Sequence, residues 1–108
     1  MIEIREYIDT KDRSPYGDWF YRLKAQAAAK VAIAIVKMEQ GNLSNIKGVG
    51  SGVFENRINF GPGYRVYFGK EGDALIILLG GGTKKRQQND IDEAKMLWRE
   101  YKRRKRET

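Results

Sequence analysis

The chain has 108 residues, which is enough for one domain built on a single hydrophobic core. It contains no cysteine and no histidine, which excludes disulfides, thiolate or imidazole metal ligands, and nucleophiles activated by histidine. Any acid–base chemistry must therefore use Asp, Glu, Tyr, Lys or Arg. There is no apolar run that could span a bilayer and no recognisable signal peptide, so we expect a cytoplasmic protein without membrane association.

The net charge of +7 is distributed unevenly along the chain. Residues 51–82 carry three basic and three acidic residues, whereas residues 83–108 carry ten basic and five acidic residues. The excess lies in Lys84–Arg86 and in Lys102–Arg106. A basic surface attracts polyanions, most often nucleic acid, or an acidic protein partner. Because charge runs are also common as solvated tails, charge alone does not decide between these interpretations.

The N-terminal part of the chain predicts one strand and two helices. Apolar and charged residues alternate over Ile2–Ile8, which is typical of a short strand that is antiparallel or at a sheet edge. Ser14, followed by proline, is expected to cap the first helix. The second helix, over Gln26–Gln40, has apolar residues at helical spacing and ends at Gly41. A break near Lys24 favours a two-helix hairpin over one bent helix.

Three runs of aromatic and β-branched residues follow, over Phe54–Gly82. Glycine-bearing turns separate these runs, which predicts a three-stranded antiparallel meander. The glycine-rich stretch before it, Leu43–Gly52, lacks the lysine and the Ser/Thr of a phosphate-binding loop. We therefore interpret that stretch as an ordinary connection into the meander.

Side chains in the meander alternate between two faces. With Gly61–Gly63 as the first turn, Ile58 is expected opposite Val66. One face is then apolar and carries Phe54, Ile58, Phe60, Tyr64, Val66 and Phe68. If Glu71 and Gly72 form the second turn, the apolar face also receives Leu75, Ile77 and Leu79, which leaves Ile76 and Leu78 on the polar face.

The polar face of the meander carries Glu55, Arg57, Asn59, Arg65 and Tyr67. Two arginines and a carboxylate on adjacent strands suit a phosphate-binding site, because a guanidinium can hold two phosphate oxygens at once. The alternative is an ordinary solvated sheet face on which Arg65 pairs with Glu55 or with a carboxylate of the C-terminal tail. Such an exposed pair would contribute only about 0–1 kcal/mol of stability.

The last predicted element is a helix after Lys84–Arg86, with Asn89 as its cap. Its apolar stripe, expected to cover Ile76 and Leu78, consists of Ile91, Ala94, Leu97, Trp98 and Tyr101. A basic, frayed tail follows over residues 102–108. The predicted fold is a single α+β domain over residues 1–108. It has a small antiparallel sheet with an N-terminal strand, a two-helix hairpin, the meander and a C-terminal helix, with the helices on one face of the sheet.

Several stretches resemble the HigB-type addiction-module killer proteins of the RelE/ParE toxin superfamily. The most specific is the E-x-R-I…G-P-G-Y-R-V-Y-F run over Glu55–Phe68. Weaker matches in the same order include Trp19–Leu23, Gly41–Leu43, Leu78–Lys84 and Asp90–Ala94. The resemblance covers nearly the whole chain and implies a RelE-like fold.

The resemblance also implies a function. Such toxins are neutralised by a cognate antitoxin, here expected to be a helix-turn-helix protein of the HigA type, and many cleave mRNA on the ribosome without a metal or other cofactor. Arg65 matches the arginine that stabilises the phosphate, Lys84 matches a basic residue after the last strand, and Arg57 fits a second phosphate contact. Lys85, Arg86, Tyr67, Asn59 and Asp90 are the further residues expected to contact RNA.

The proton-transfer groups are not carried over by the resemblance. The histidines of some relatives are missing, and the position of a tyrosine used by others falls in the segment 87–90, which has none. Glu55, Tyr67 and Asp90 remain as candidates for the general base and acid. Two further functional classes stay open: a ParE-like toxin that poisons gyrase without nuclease activity, and an RNA-binding domain that is not an enzyme.

Overall fold

A computed structural model describes residues 1–107 as three helices packed on one five-stranded mixed sheet. This is the predicted α+β class, with one strand more than expected. In chain order the elements are β1 (Glu3–Glu6), α1 (Pro15–Phe20), α2 (Ala25–Glu39), β2 (Ile46–Gly50), β3 (Val53–Ile58), β4 (Tyr64–Glu71), β5 (Leu75–Thr83) and α3 (Gln87–Arg106).

The strands lie side by side in the order β1-β5-β4-β3-β2. β3, β4 and β5 form the predicted antiparallel meander. β1 lies at an edge, as one of the predicted alternatives had it, but runs parallel to β5, with Glu3 opposite Leu75. The prediction of an antiparallel sheet is therefore wrong at this edge. Parallel pairing needs a long connection, which the helices and strands between β1 and β5 supply.

β2 lies in the stretch that we predicted to be a connection. It pairs antiparallel with β3, and Ile46 lies opposite Asn56. Glycine is depleted in strands, so the three glycines of Leu43–Gly52 concealed this pairing. Two of them serve the passage into β3, because Gly50 and Gly52 have φ angles of +101° and +80°, which glycine adopts without a steric cost.

The predicted start of the first helix and both ends of the second are confirmed to within a residue, but α1 ends at Phe20, so Leu23 lies outside it. The Ser14 hydroxyl caps α1 by accepting a 2.8 Å hydrogen bond from the Gly17 N–H. The chain breaks as predicted, and α2 begins directly after Lys24. Gly41, with a φ of +85°, follows the end of α2 in the left-handed conformation that terminates many helices.

The first turn of the meander places Ile58 opposite Tyr64 and not opposite Val66. The predicted register was therefore wrong by two residues. Because side chains alternate with a period of two, this error moves no side chain to the other face. The predicted separation into an apolar and a polar face holds for β3 and β4.

The second turn contains three residues, since Glu71 lies opposite Leu75. This one-residue difference exchanges the two faces of β5 relative to the prediction. Ile76 and Leu78 pack with α1 and α2, whereas Ile77 and Leu79 pack under α3. Helices therefore cover both faces of the sheet, and the prediction that they share one face is wrong.

The C-terminal helix differs from the prediction at both ends. It begins at Gln87 after a single 3-10 turn, Lys84–Arg86, so Asn89 lies within its first turn and does not cap it. The expected frayed tail is helical through Arg106, while Thr108 lies outside the described residues. Basic residues favour the negative end of a helix. The Arg104 guanidinium also donates a 2.8 Å hydrogen bond to the Ile8 carbonyl, which anchors this end.

In the part of the chain that the structure describes, none of the helices has the length and apolar composition needed to cross a bilayer.

Candidate nucleic-acid interface

A groove of about 670 Å³ lies at the end of the sheet where the G-P-G turn joins β3 to β4. Most of its polar lining residues carry a positive charge or an amide: Lys47, Arg57, Arg65, Lys84, Asn45 and Asn59. Ser44 and Tyr64 add hydroxyl groups. No carboxylate is among the described residues that line it. Such a surface attracts the phosphates of nucleic acid.

Strand pairing brings the groove cations together. Arg57 lies directly opposite Arg65 across β3 and β4. Like charges at directly opposite positions repel each other and destabilise a sheet. Lys84 joins them because its backbone N–H donates a 3.0 Å hydrogen bond to the Gly63 carbonyl, which ties the end of β5 to the turn.

Arg65 is held by contacts on two sides. Its side chain is only 4% exposed, its Nη1 donates a 3.0 Å hydrogen bond to the Gly63 carbonyl, and its Nε lies 3.4 Å from Glu55 Oε2. Glu55 is 1% exposed and accepts a 2.8 Å hydrogen bond from Gln87 Nε2. Arg65 does pair with Glu55, as one of the alternatives had it, but both side chains are buried, whereas that alternative assumed a pair exposed to solvent. Removal of one partner would leave an uncompensated buried charge.

The other predicted phosphate contacts are accessible. Arg57, Asn59 and Lys84 are exposed and line the same groove as Arg65. Of the five N–H donors of the Arg65 guanidinium, one is bonded to the Gly63 carbonyl. The distance of 3.4 Å from Nε to Glu55 is longer than a typical hydrogen bond. The groove therefore combines one buried guanidinium, held by protein contacts, with cationic side chains that are exposed to solvent.

Tyr67 does not line the groove, contrary to its place among the expected RNA contacts. It is fully buried under α3, at 0% exposure, and its hydroxyl has no hydrogen-bond partner in residues 1–107. Burial raises the pKa of this phenol well above its usual value, and the nearby Glu55 carboxylate raises it further. A phenol in this setting stays protonated at neutral pH, which does not suit a general base.

Asp90 and Arg86 belong to a different cleft, of about 520 Å³, between α1, the end of β5 and α3. Trp19 and Arg13 also line this cleft. Burial raises the pKa of the Asp90 carboxyl, and the Arg86 guanidinium partly offsets that rise. Lys85 is exposed and lines neither the cleft nor the groove. The residues expected to contact RNA are therefore divided between separate surfaces.

Three residues of the site were not predicted. Lys47 and Asn45 were not identified as site residues because we predicted a connection where the structure has β2. Gln87 was not identified because nothing in the sequence indicates that this glutamine bonds Glu55 on a distant strand. The groove can bind an anion and stabilise developing negative charge. Within residues 1–107 no group of three or more acidic side chains is placed to hold a metal ion.

The fold and groove place the chain among small α+β proteins with a basic site at one end of the sheet. The chain is 42% identical to an uncharacterized protein of Haemophilus influenzae over 94 residues, which cover 86% of this chain and 95% of that protein. At this identity and coverage, the chain belongs to the same protein family as its Haemophilus relative. No family model matches the chain.

Proposed function

We propose that the protein is the toxin of a type II toxin–antitoxin system, with a RelE-like fold, and that it acts on mRNA through the groove around Arg65. In this proposal a cognate antitoxin of the helix-turn-helix type neutralises it by direct binding. Support comes from the resemblance of Glu55–Phe68 to HigB-type killer proteins and from the charge of the groove. Proposed localisation is cytoplasmic, where mRNA and ribosomes are found.

The observation that carries this proposal is the opposition of Arg57 and Arg65 across two paired strands. Such an arrangement of like charges costs stability in the free protein. A phosphate bound between or beside the two guanidinium groups would relieve the repulsion and form charge-assisted hydrogen bonds. Glu55 offsets part of the Arg65 charge inside the protein, while the exposed Arg57 forms no ion pair with the described residues, so positive charge in the groove remains for a polyanion to bind.

The proposed reaction is metal-independent endonucleolytic cleavage of mRNA on the ribosome. The ribose 2′-oxygen forms a bond to the adjacent phosphorus while the bond to the 5′-oxygen breaks. One proton leaves the 2′-hydroxyl and one is delivered to the 5′-oxygen. Negative charge grows on the phosphate in the transition state, where Arg65, Arg57 and Lys84 would bind it more tightly than in the ground state. Glu55 positions Arg65, and no residue of the groove is assigned the proton transfers.

A second candidate function is RNA binding without cleavage. It is favoured by the same groove, because none of its described lining residues is a carboxylate that could accept the 2′-hydroxyl proton. This protein would inhibit translation by occupying RNA. The two candidates share the binding residues and differ in whether the RNA is cut.

The test uses Arg57→Ala and Lys84→Ala, since both side chains are exposed and their removal leaves the buried Glu55–Arg65 pair intact. Arg99→Ala, at an exposed arginine of α3 away from the groove, is the matched control. Each variant is induced in bacteria lacking the antitoxin, growth is followed, and cleavage is mapped on cellular mRNA. We expect loss of a preorganised phosphate contact to slow cleavage about 10²–10³-fold.

Growth arrest and cleavage should persist in Arg99→Ala and be lost in both groove variants. Arrest with intact mRNA that depends on Arg57 would favour the RNA-binding candidate. Groove variants that are folded and as toxic as the parent would contradict the proposal for both candidates.

A further inference from the structure

Three polar side chains of the sheet are buried together near the start of α3. Glu55 lies opposite Tyr67 across β3 and β4, and Arg65 comes two residues before Tyr67, on the same face of β4. Gln87 joins them from α3 through its hydrogen bond to Glu55. Buried polar groups normally have hydrogen-bond partners, either one another or ordered water. We therefore followed each donor of this cluster to its acceptor.

Two donors of the cluster have no acceptor. They are the Arg65 Nε–H and the Tyr67 hydroxyl, which are buried and form no hydrogen bond within residues 1–107. Arg65 Nε lies 3.4 Å from Glu55 Oε2 without bonding it. The Tyr67 hydroxyl also lies near this carboxylate: burial raises the pKa of the phenol, and the charge of Glu55 raises it further. A buried donor without an acceptor costs stability.

Both donors compete for the Glu55 carboxylate. An ionised carboxylate has about four acceptor sites, and the hydrogen bond from Gln87 to Oε2 occupies one of them. Glu55 therefore has acceptor capacity left, but its position satisfies neither Arg65 Nε nor the Tyr67 hydroxyl. A small displacement of the carboxylate or of the guanidinium would complete one of the two bonds.

Binding of a phosphate gives this displacement a direction. Arg65 lines the groove but its side chain is only 4% exposed, so its guanidinium must move outward to hold a phosphate through two N–H groups. That movement takes Nε farther from Glu55, although the positive charge of the guanidinium stays close. The carboxylate can then turn to the Tyr67 hydroxyl, which stays protonated at neutral pH because its pKa is raised.

We infer that Tyr67 is a positioning residue for Arg65, and that its hydroxyl donates to Glu55 when Arg65 binds a phosphate of RNA in the groove. Tyr67 itself does not touch the RNA, and no proton changes its owner. The new hydrogen bond stabilises the carboxylate from which Arg65 has moved away, so it favours the RNA-bound arrangement. The inference rests on the proposed function for the identity of the anion.

The first experiment compares affinity with stability in Tyr67→Phe, which removes the hydroxyl and keeps the ring. The probe is a short single-stranded RNA with 2′-O-methyl riboses, which can bind but cannot be cut by attack of the 2′-oxygen. We expect about tenfold weaker binding in fluorescence anisotropy, because a hydrogen bond to a charged acceptor is lost in the bound state. The thermal midpoint should equal or exceed that of the parent, since the lost hydroxyl has no partner in the structure.

Tyr101→Phe is the matched control. The Tyr101 hydroxyl already donates to a carboxylate, that of Glu71, and neither residue lines the groove. This variant should melt at a lower temperature than the parent and bind the probe as tightly. The same pair of results for Tyr67→Phe would show that Tyr67 supports only the fold, and would overturn the inference.

NMR spectroscopy distinguishes a hydroxyl that gains an acceptor from one that is bonded throughout. The six tyrosines are labelled with ¹³C at Cζ, and the Tyr67 signal is the one that disappears in Tyr67→Phe. Donation to a carboxylate moves a Cζ signal toward its phenolate position. We expect the probe to move the Tyr67 signal in this direction and to leave the Tyr101 signal in place. A Tyr67 signal that is at the bonded position without the probe, and stays there with it, would overturn the inference.

Failure of the nuclease proposal gives a different result. Because the probe cannot be cut, its effect on the Tyr67 signal does not depend on catalysis. If cellular mRNA stayed intact while the probe moved this signal, the inference would stand and the nuclease proposal would fail. A probe that bound without moving the signal would contradict the inference alone, whereas a probe that did not bind the parent would contradict both.

Discussion

Gln87 and Glu55 are 32 residues apart in the chain, yet Gln87 Nε2 donates a 2.8 Å hydrogen bond to Glu55 Oε2. Glu55 in turn faces Arg65 Nε at 3.4 Å. The start of α3 is thereby connected through one buried carboxylate to the guanidinium in the groove. Gln87 is a positioning residue in the proposed function, because it acts on Arg65 only through Glu55.

We therefore expect Gln87→Ala to lower both stability and RNA affinity. Loss of the donor leaves a buried carboxylate oxygen less satisfied, which costs about 1–3 kcal/mol of unfolding free energy. Chemical denaturation measures this change, and anisotropy with a short RNA measures affinity. Gln88→Ala is the matched control, because Gln88 is exposed and bonds only Asp92 at the surface. If both variants behaved alike, the positioning role of Gln87 would be excluded.

A second prediction concerns the buried pair itself. Arg65→Ala leaves Glu55 charged and unpaired in the interior, so it should destabilise the fold by about 3–5 kcal/mol. The double variant Arg65→Met with Glu55→Gln removes both charges and keeps an acceptor for Gln87. We expect it to recover most of the stability while RNA binding stays lost. Recovery of binding along with stability would show that Arg65 serves only the fold.

A third prediction concerns the contact of Gly69 with Trp98, where α3 crosses β4. A methyl group at Gly69 would overlap the Trp98 ring. Gly69→Ala must displace this large buried side chain, so we expect a loss of about 1–3 kcal/mol or more in unfolding free energy. Gly80→Ala is the control, since a methyl group there meets nothing within 4 Å. Equal stability of the two variants, measured by urea denaturation, would contradict this packing.

A fourth prediction uses the raised pKa of Asp90, whose main cause is burial. The folded protein binds this proton more tightly than the unfolded chain, so stability from Asp90 is present at low pH and is lost as the pH rises through the raised pKa. Asp90→Asn should therefore unfold at a higher temperature than the parent at pH 7, and the difference should shrink toward pH 4. Equal melting temperatures of Asp90→Asn and the parent at pH 7 would contradict this prediction.

A fifth prediction is that RNA cleavage does not require a transition metal. The chain has no His or Cys, and its described part has no acidic cluster able to bind an ion. Protein treated with EDTA and returned to translating ribosomes with magnesium restored should cleave mRNA at the rate of untreated protein. Activity that returned only after addition of zinc or manganese would refute the proposed chemistry.

The parts of the fold that follow from local chemistry were predictable. Ser14 as a cap, the break before α2 and the alternation along β3 and β4 each depend on neighbouring residues, and all three are confirmed. The faces of β5 depend on the number of residues in one turn, and an error of one residue there placed Ile76 and Leu78 on the wrong side of the sheet. Because of that error, we also did not predict that helices cover both faces of the sheet.

For the candidate site, the sequence indicated the charges but not their surroundings. Arg57, Arg65 and Lys84 were expected together, and the structure brings them to one groove. Alternation alone cannot distinguish a solvated polar face from one covered by a helix, so the burial of Glu55, Arg65 and Tyr67 was not foreseen. The location of Asp90 in a cleft outside the groove was not foreseen either. Its position depends on where α3 begins, and the N-cap residue, Arg86, makes no side-chain capping bond that the sequence could have indicated.

The parallel pairing of β1 with β5 imposes an order on folding. The β3–β4 hairpin closes through a short turn and can form as soon as residues 53–71 are available, because local contacts form fastest. β1 cannot pair until Leu75 and the following residues of β5 have been synthesised. The hydrogen bond from Gln87 to Glu55 requires a still longer chain. A chain emerging from the ribosome can therefore place Arg57 opposite Arg65, with Glu55 and Gly63 beside Arg65, before Lys84 and Gln87 have been added. The last contacts of the groove, from Lys84 to Gly63 and from Gln87 to Glu55, depend on a later part of the chain than the hairpin that they complete.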